Sequence, residues 1–267
     1  MLYHSLKSRL ARLASVSALG ILVLAPPVTL NAQEEDQEEY DHFFQGWSGR
    51  LDLGYTYQSG RTNRNELTLR GQADREAGRN KYRAIAEYVY GEQKVDTDDG
   101  TTTIKSSDRY GANFRWRRTL SEYFFTQSLT SYEVDQVRGV KQRAEQNLSL
   151  GYQYLYTDTF EASVGPGFTA QYNRELGVEA GMNYMATAFQ DFIWNITDAY
   201  KFEEDSTFLV NVEDSDDYIY RFNAGLVGTV TESINMSIRY NFLYENQAPP
   251  GVDRSEHRLV TSIGYSF

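Results

Sequence analysis

From Trp47 to the end of the chain, apolar residues recur at every second position, not at the three-to-four spacing of a helix. In Ser233–Glu245, the residues Ile234, Met236, Ile238, Tyr240, Phe242 and Tyr244 share one side, and Asn235, Ser237, Arg239, Asn241 and Leu243 share the other. Arg258–Phe267 divides into Leu259, Thr261, Ile263, Tyr265 and Phe267 against Arg258, Val260, Ser262, Gly264 and Ser266. Arg50–Gln58 does the same, with Leu51, Leu53, Tyr55 and Tyr57 opposite Arg50, Asp52, Gly54, Thr56 and Gln58. Successive side chains of an extended strand point to opposite faces, so these segments predict strands with one apolar and one polar face.

The connections repeat as well. Glu76–Asn80, Thr119–Tyr123, Thr157–Phe160, Thr197–Tyr200 and Thr231–Ile234 are short polar links, the last four each ending on an apolar residue that starts the next strand. Longer links alternate with them: Ser59–Arg64, Lys94–Ser107, Glu133–Gln142, Asn173–Ala180, Glu213–Asp217 and Glu245–Arg254. Short turns alternating with long loops predict an all-β, up-and-down antiparallel meander of about 12 strands, with one plain end and one elaborated end.

A soluble β-sandwich also buries one face of each strand. Three features favour a transmembrane β-barrel instead. The strands exceed the usual length of about 5–6 residues. Aromatics gather at strand ends: Phe114, Trp116, Tyr123, Phe125, Tyr152, Tyr154, Phe192, Trp194, Tyr265 and Phe267 toward the short turns, and Tyr55, Tyr57, Tyr88, Tyr90, Tyr218, Tyr220, Tyr240, Phe242 and Tyr244 toward the long loops. Ala112, Ala224, Leu226, Met236 and Ile238 fill the band between, as expected if Tyr and Trp sit at headgroup level. Finally, the chain ends in a strand closing on Tyr265-Ser-Phe267, a pattern similar to the assembly signal that outer-membrane barrels present to the barrel-assembly machinery.

Composition fits this reading. The mean hydropathy of −0.58 is too low for several helical spans, yet 14% of the 267 residues are aromatic. A barrel whose strands are half polar accounts for both. Cysteine is absent, which removes disulfides, thiolate metal clusters and thiol catalysis. The net charge of −11 lacks the basic footprint of a nucleic-acid binder.

Residues 1–32 have the form of a secretory signal peptide, with Lys7, Arg9 and Arg12 ahead of the apolar stretch Leu13–Ala25 and Ala32 before the expected cleavage point. Pro26 and Pro27 would interrupt an uncleaved anchor helix. Cleavage leaves 23 basic and 37 acidic residues, a net charge of −14. Residues 33–45 form an acidic leader, with Glu34, Glu35, Asp36, Glu38, Glu39 and Asp41, whose self-repulsion predicts disorder. The barrel is expected over residues 46–267.

The opening strand and loop, Gly46-Trp-Ser-Gly-Arg-Leu-Asp-Leu-Gly-Tyr-Thr-Tyr-Gln-Ser-Gly-Arg-Thr-Asn63, resembles the start of the salt-induced outer-membrane protein family (domain of unknown function 481). Arg61 stands where the family pattern has Asn, and Asn63 follows two places on. The likeness runs loosely from Trp47 to Phe267 and implies an outer-membrane barrel of a Gram-negative envelope, among outer-membrane lipids and lipopolysaccharide. It implies no substrate and no catalytic residues.

The polar faces carry Arg50, Asp52, Glu66, Arg70, Arg83, Glu87, Arg109, Arg115, Arg117, Arg221 and Arg239. Charge is costly on a lipid face, by about 2–4 kcal/mol for Arg or Lys at the midplane, so these are expected to line the lumen. They would act either as a selectivity-setting lining or as a structural filling of paired charges. With arginine dominating the set, the lumen is expected to be basic, and the acidic charge to lie in the leader and loops.

A rival class is an outer-membrane hydrolase. Its general base would have to be His257, beside Asp253, Ser255 and Glu256, but that histidine shares the side of Leu259. Asp96-Thr-Asp98-Asp99-Gly100 approaches a calcium loop without its spacing or its closing Glu. No cofactor or metal is expected.

Overall fold

The computed structural model describes residues 45–58, 63–97, 100–248 and 253–267. The signal segment and nearly all of the acidic leader lie outside them, as do parts of the first, second and last long loops.

Among the described residues, twelve strands follow one another: β1 (Trp47–Gln58), β2 (Asn63–Ala77), β3 (Asn80–Thr97), β4 (Gly100–Thr119), β5 (Phe124–Asp135), β6 (Val140–Tyr156), β7 (Phe160–Glu175), β8 (Gly181–Thr197), β9 (Tyr200–Asn211), β10 (Tyr218–Thr229), β11 (Ile234–Glu245) and β12 (Ser255–Ser266). Each pairs antiparallel with its sequence neighbours, and β12 returns to β1, so the sheet is a closed barrel. Closure leaves every strand a partner on both sides, which an all-β chain needs in a medium that offers no hydrogen bonds.

All five short links fall where the pattern puts them. Four use the same device, in which a hydroxyl at the turn's start accepts the N–H of the residue that opens the next strand. Thr157 takes Phe160 at 2.9 Å, Thr197 takes Tyr200 at 3.1 Å, Thr231 takes Ile234 at 3.0 Å and Ser121 takes Phe124 at 3.3 Å. The β2–β3 turn instead uses Gly78 at φ +58°, a conformation that side chains disfavour.

Burial is inverted relative to a soluble domain. Leu51, Leu53, Ile238, Leu259 and Ile263 are each at least half exposed on the outside, while Asp52, Glu66, Gln127, Arg143, Asn147 and Gln171 are buried inside. This apolar exterior is a lipid-facing surface. Ring contacts girdle it near the short turns (Trp47–Tyr82–Phe114 and Phe192–Phe160–Trp194) and toward the long loops (Phe208–Tyr218–Tyr244 and Tyr220–Phe242).

Two expectations need correction. Phe125 is not part of the outer girdle; it is 3% exposed and points inward. Its ring fills space left by Gly151, where a Cβ would collide with it, and lies 6.2 Å from the ring of Phe189, which similarly occupies the room beside Gly165. The Lys94–Ser107 link is mostly strand, because β3–β4 pairing continues to Thr97 and Gly100.

The β6–β7 ladder skips Gly165 and Pro166, which has no N–H to give; Pro166 faces outward. The β1–β12 seam is the shortest pairing, with register from Arg50–Ser266 to Gly54–Ser262, against at least eleven residue pairs between other neighbours.

Candidate functional site

All eleven charged residues singled out in the sequence lie on inward positions. What periodicity could not supply is their partners, several of which lie on distant strands. Near the short-turn end, Asp191 of β8 receives Arg115 at 3.2 Å and Arg117 at 2.5 Å, both from β4 across the lumen. Arg117 also donates to Gln127 at 2.7 Å and stacks 4.1 Å over the Phe125 ring. Asp52 holds Arg50 at 3.0 Å and Arg239 at 2.6 Å, and Asp74 holds Arg83 at 2.5 Å. On the long-loop half of the barrel, Glu66 accepts the Ser107 hydroxyl at 2.5 Å.

Further along the axis, Glu87 sits among three arginines: Arg258 at 2.6 Å, Arg70 at 3.4 Å and Arg109 at 3.9 Å. Arg109 reaches on to Glu256 at 3.3 Å. Arg221 of β10 takes Glu145 of β6 with both terminal nitrogens, at 2.7 and 2.6 Å, the two-pronged geometry in which a guanidinium matches a carboxylate best. Toward the long loops, Glu245 at the end of β11 is shared by Arg143 at 2.8 Å and Arg138 at 2.5 Å, and Arg143 also reaches Glu175 at 3.1 Å. Several of these bonds are chords across the barrel, with β4 joined to β8 and β6 joined to β10 and β11.

The lumen is therefore not a basic tube. Every arginine named above has a carboxylate partner, and Asp74, Glu145, Asp191, Glu245 and Glu256 balance the set. Arg143, Arg138 and Arg258 were also missed. A signal for some was present: Arg143, Glu145, Asn147 and Ser149 alternate with Ala144, Gln146, Leu148 and Leu150 in the sequence, and the first four are buried.

The chords leave a central cavity of about 400 Å³, bordered by Arg50, Arg70, Glu203, Asp205, Arg221 and Arg239 among others. A vestibule of about 700 Å³ at the short-turn end is bordered by Asn195, Asp198, Lys201, Asn235 and Ser266. Arg50 and Val227 border both spaces. Met185, Leu209 and Ile219, with Leu243 against them, form an apolar patch on the inner wall.

His257 is exposed on the outer face, its Nδ1 2.8 Å from the Tyr240 hydroxyl and its ring 4.8 Å from that of Phe242. It belongs geometrically to the aromatic girdle. Among the described residues, no group of three or more His, Asp or Glu side chains is placed to hold a metal ion. Tyr265 and Phe267 lie outside at the short-turn end; Phe267 exchanges backbone hydrogen bonds with Gly49 at 2.9 and 3.0 Å, and its ring covers that glycine.

A family model described as "Protein of unknown function, DUF481" matches residues 51–267. The "Uncharacterized protein YdiY" of Escherichia coli (strain K12) is 23% identical over 264 residues, spanning 96% of this chain and 99% of that protein. Solved structures with a similar barrel include the NanC porin, with a TM-score of 0.49 and 13% identity over 81% of this chain and 98% of that one. The COG4313 outer membrane channel from Pseudomonas putida F1 gives a TM-score of 0.45 and 10% identity over 83% and 94% of the two chains.

Proposed function

Since the chain belongs to the DUF481 family, we propose on the geometry of its lumen that it is a narrow outer-membrane channel, passing small polar solutes and ions without covalent chemistry. It is an outer-membrane protein of a Gram-negative envelope: a closed antiparallel barrel with an apolar, aromatic-girdled exterior is built for that membrane. Such barrels keep their short turns periplasmic, so the vestibule opens inward to the periplasm.

The observation that carries the channel reading is that Arg50 and Val227 border both the vestibule and the central cavity. Both spaces are lined by charged side chains able to select what passes. Twelve strands enclose less than the 16–18 of a large porin, and the chords narrow the path further. In planar bilayers the purified protein is expected to give small, discrete conductance steps. A protein that inserts but passes no current would instead act as a structural element of the envelope.

The terminal strand supports a second element of the proposal, recognition by the barrel-assembly machinery through Tyr265 and Phe267. Deleting Phe267 removes both bonds to Gly49 and the ring over it. The truncated protein is expected to accumulate in the periplasm, read as loss of the compact unboiled band in outer-membrane fractions. Normal assembly would remove the signal role. The acidic tip Glu213, Asp214, Asp216 and Asp217 is suited to meet lipopolysaccharide phosphates through divalent cations.

A further inference from the structure

The charges of the lumen balance as a set but not wall by wall. On one side, Arg50 of β1, Arg70 of β2, Arg109 of β4, Arg239 of β11 and Arg258 of β12 all border the central cavity. Among the described residues these five guanidiniums share three carboxylates, Asp52, Glu87 and Glu256, and Glu256 is divided again with Arg138. Asp52 is only 1% exposed and out of a solute's reach, whereas Arg70 and Arg239 keep 19% and 13% of their side chains open. A solute in the cavity therefore meets positive charge on this wall.

The facing wall carries the reverse. β9 stands five strands from β2 round the closed barrel, nearly opposite it, and brings Glu203 and Asp205 to the same cavity. Glu203 has Lys201 at 2.7 Å. Asp205 has no such partner: among the described residues its side chain takes the Asn223 amide at 2.8 Å, and no cation lies within ion-pair distance. Its register partner on β8 is a second carboxylate, Asp191, and like charges directly opposite one another repel. Asp191 is relieved by Arg115 and Arg117, which leaves Asp205 as uncompensated negative charge at the cavity.

We propose that the central cavity binds a small zwitterion, a short amino acid with its ammonium and carboxylate at opposite ends of the chain. The proposal rests on the channel reading, which gives the solute its way in, and adds the class of solute. The ammonium donates to Asp205, and the carboxylate accepts from Arg70 and Arg239. The occupant follows from the two walls. A plain carboxylate answers the guanidiniums but leaves Asp205 uncompensated, a plain amine does the opposite, and a neutral solute answers neither. Charged groups that end up without a partner in a narrow site are costly, so only a solute with both charges meets both walls. The cavity, at about 400 Å³, has the size of a small-molecule site.

The test is saturation-transfer NMR on the full-length barrel in phospholipid nanodiscs, titrated with γ-aminobutyrate, butyrate or butylamine, with protein-free discs as blank. Saturable binding of γ-aminobutyrate is expected, about tenfold or more tighter than either singly charged analogue. Asp205→Asn should weaken γ-aminobutyrate by about tenfold and leave butyrate no weaker, whereas Arg70→Gln should weaken both and spare butylamine. A misfolded variant would lose all three probes, and the three-way comparison on the unaltered protein decides the matter if a variant fails to assemble. Absence of saturable binding, an analogue bound as tightly as γ-aminobutyrate, or Asp205→Asn weakening butyrate and γ-aminobutyrate alike would each overturn the proposal. Conductance is read separately. A barrel that passes potassium chloride without preferring the zwitterion loses this site and keeps the channel, and one that binds the zwitterion without current loses the channel.

Discussion

Glu245→Gln is expected to destabilise the barrel by about 3 kcal/mol, measured as the shift in urea unfolding followed by tryptophan fluorescence. The side chain is 5% exposed, and two guanidiniums, Arg143 at 5% and Arg138 at 12%, converge on it. Glutamine keeps the shape and one acceptor but removes the charge that offsets two buried cations. Removing one partner of a buried pair typically costs about 3–5 kcal/mol, because the remaining charge is left uncompensated. Arg143 retains Glu175 and the side chain of Asn173, which places the effect at the lower end. Glu213→Gln, in an exposed loop, is the control and should stay within about 0.5 kcal/mol. A shift below about 1 kcal/mol for Glu245→Gln would show that water screens the upper lumen.

Asp191→Asn should change the current. It frees Arg115 and Arg117 from their shared carboxylate, while Arg117 keeps Gln127 and the Phe125 ring. One unit of uncompensated positive charge about 7 Å from a passing ion, at an effective dielectric constant near 20, is worth about 2 kcal/mol. The sign is opposite for anion and cation. With tenfold per about 1.4 kcal/mol, the chloride-to-potassium permeability ratio should rise at least tenfold, read from the reversal potential in a salt gradient. An unchanged ratio would mean that ions do not pass close to Asp191.

These predictions concern residues that periodicity treated unequally. The faces of β1, β11 and β12 were legible because lipid and lumen impose opposite chemistry on alternate side chains, and the turns because a hydroxyl three residues before a strand-opening N–H is a local device. Phe125 was misassigned because the decision between two adjacent phenylalanines lies on the neighbouring strand, in the missing side chain of Gly151. The Lys94–Ser107 hairpin looked like a loop because both of its faces are polar, yet backbone pairing does not require an apolar face. The partners of the arginines were hidden for a different reason. A strand pattern gives the side to which a residue points but not what it meets across the barrel, so Asp191, Glu145 and Glu245 gained their roles only once the sheet closed.

That last property gives the chords a place in time. Arg143 and Glu245 are separated by 102 positions, and Arg115 and Asp191 by 76. Neighbouring hairpins can zip as they enter the membrane, whereas a bond from β6 to β11 must wait until the sheet has curled round. Interactions made after the folding barrier slow unfolding and leave the folding rate nearly untouched. The ion pairs of the lumen should therefore act as a latch: they set how long an assembled barrel lasts, and the hairpins set how fast it forms.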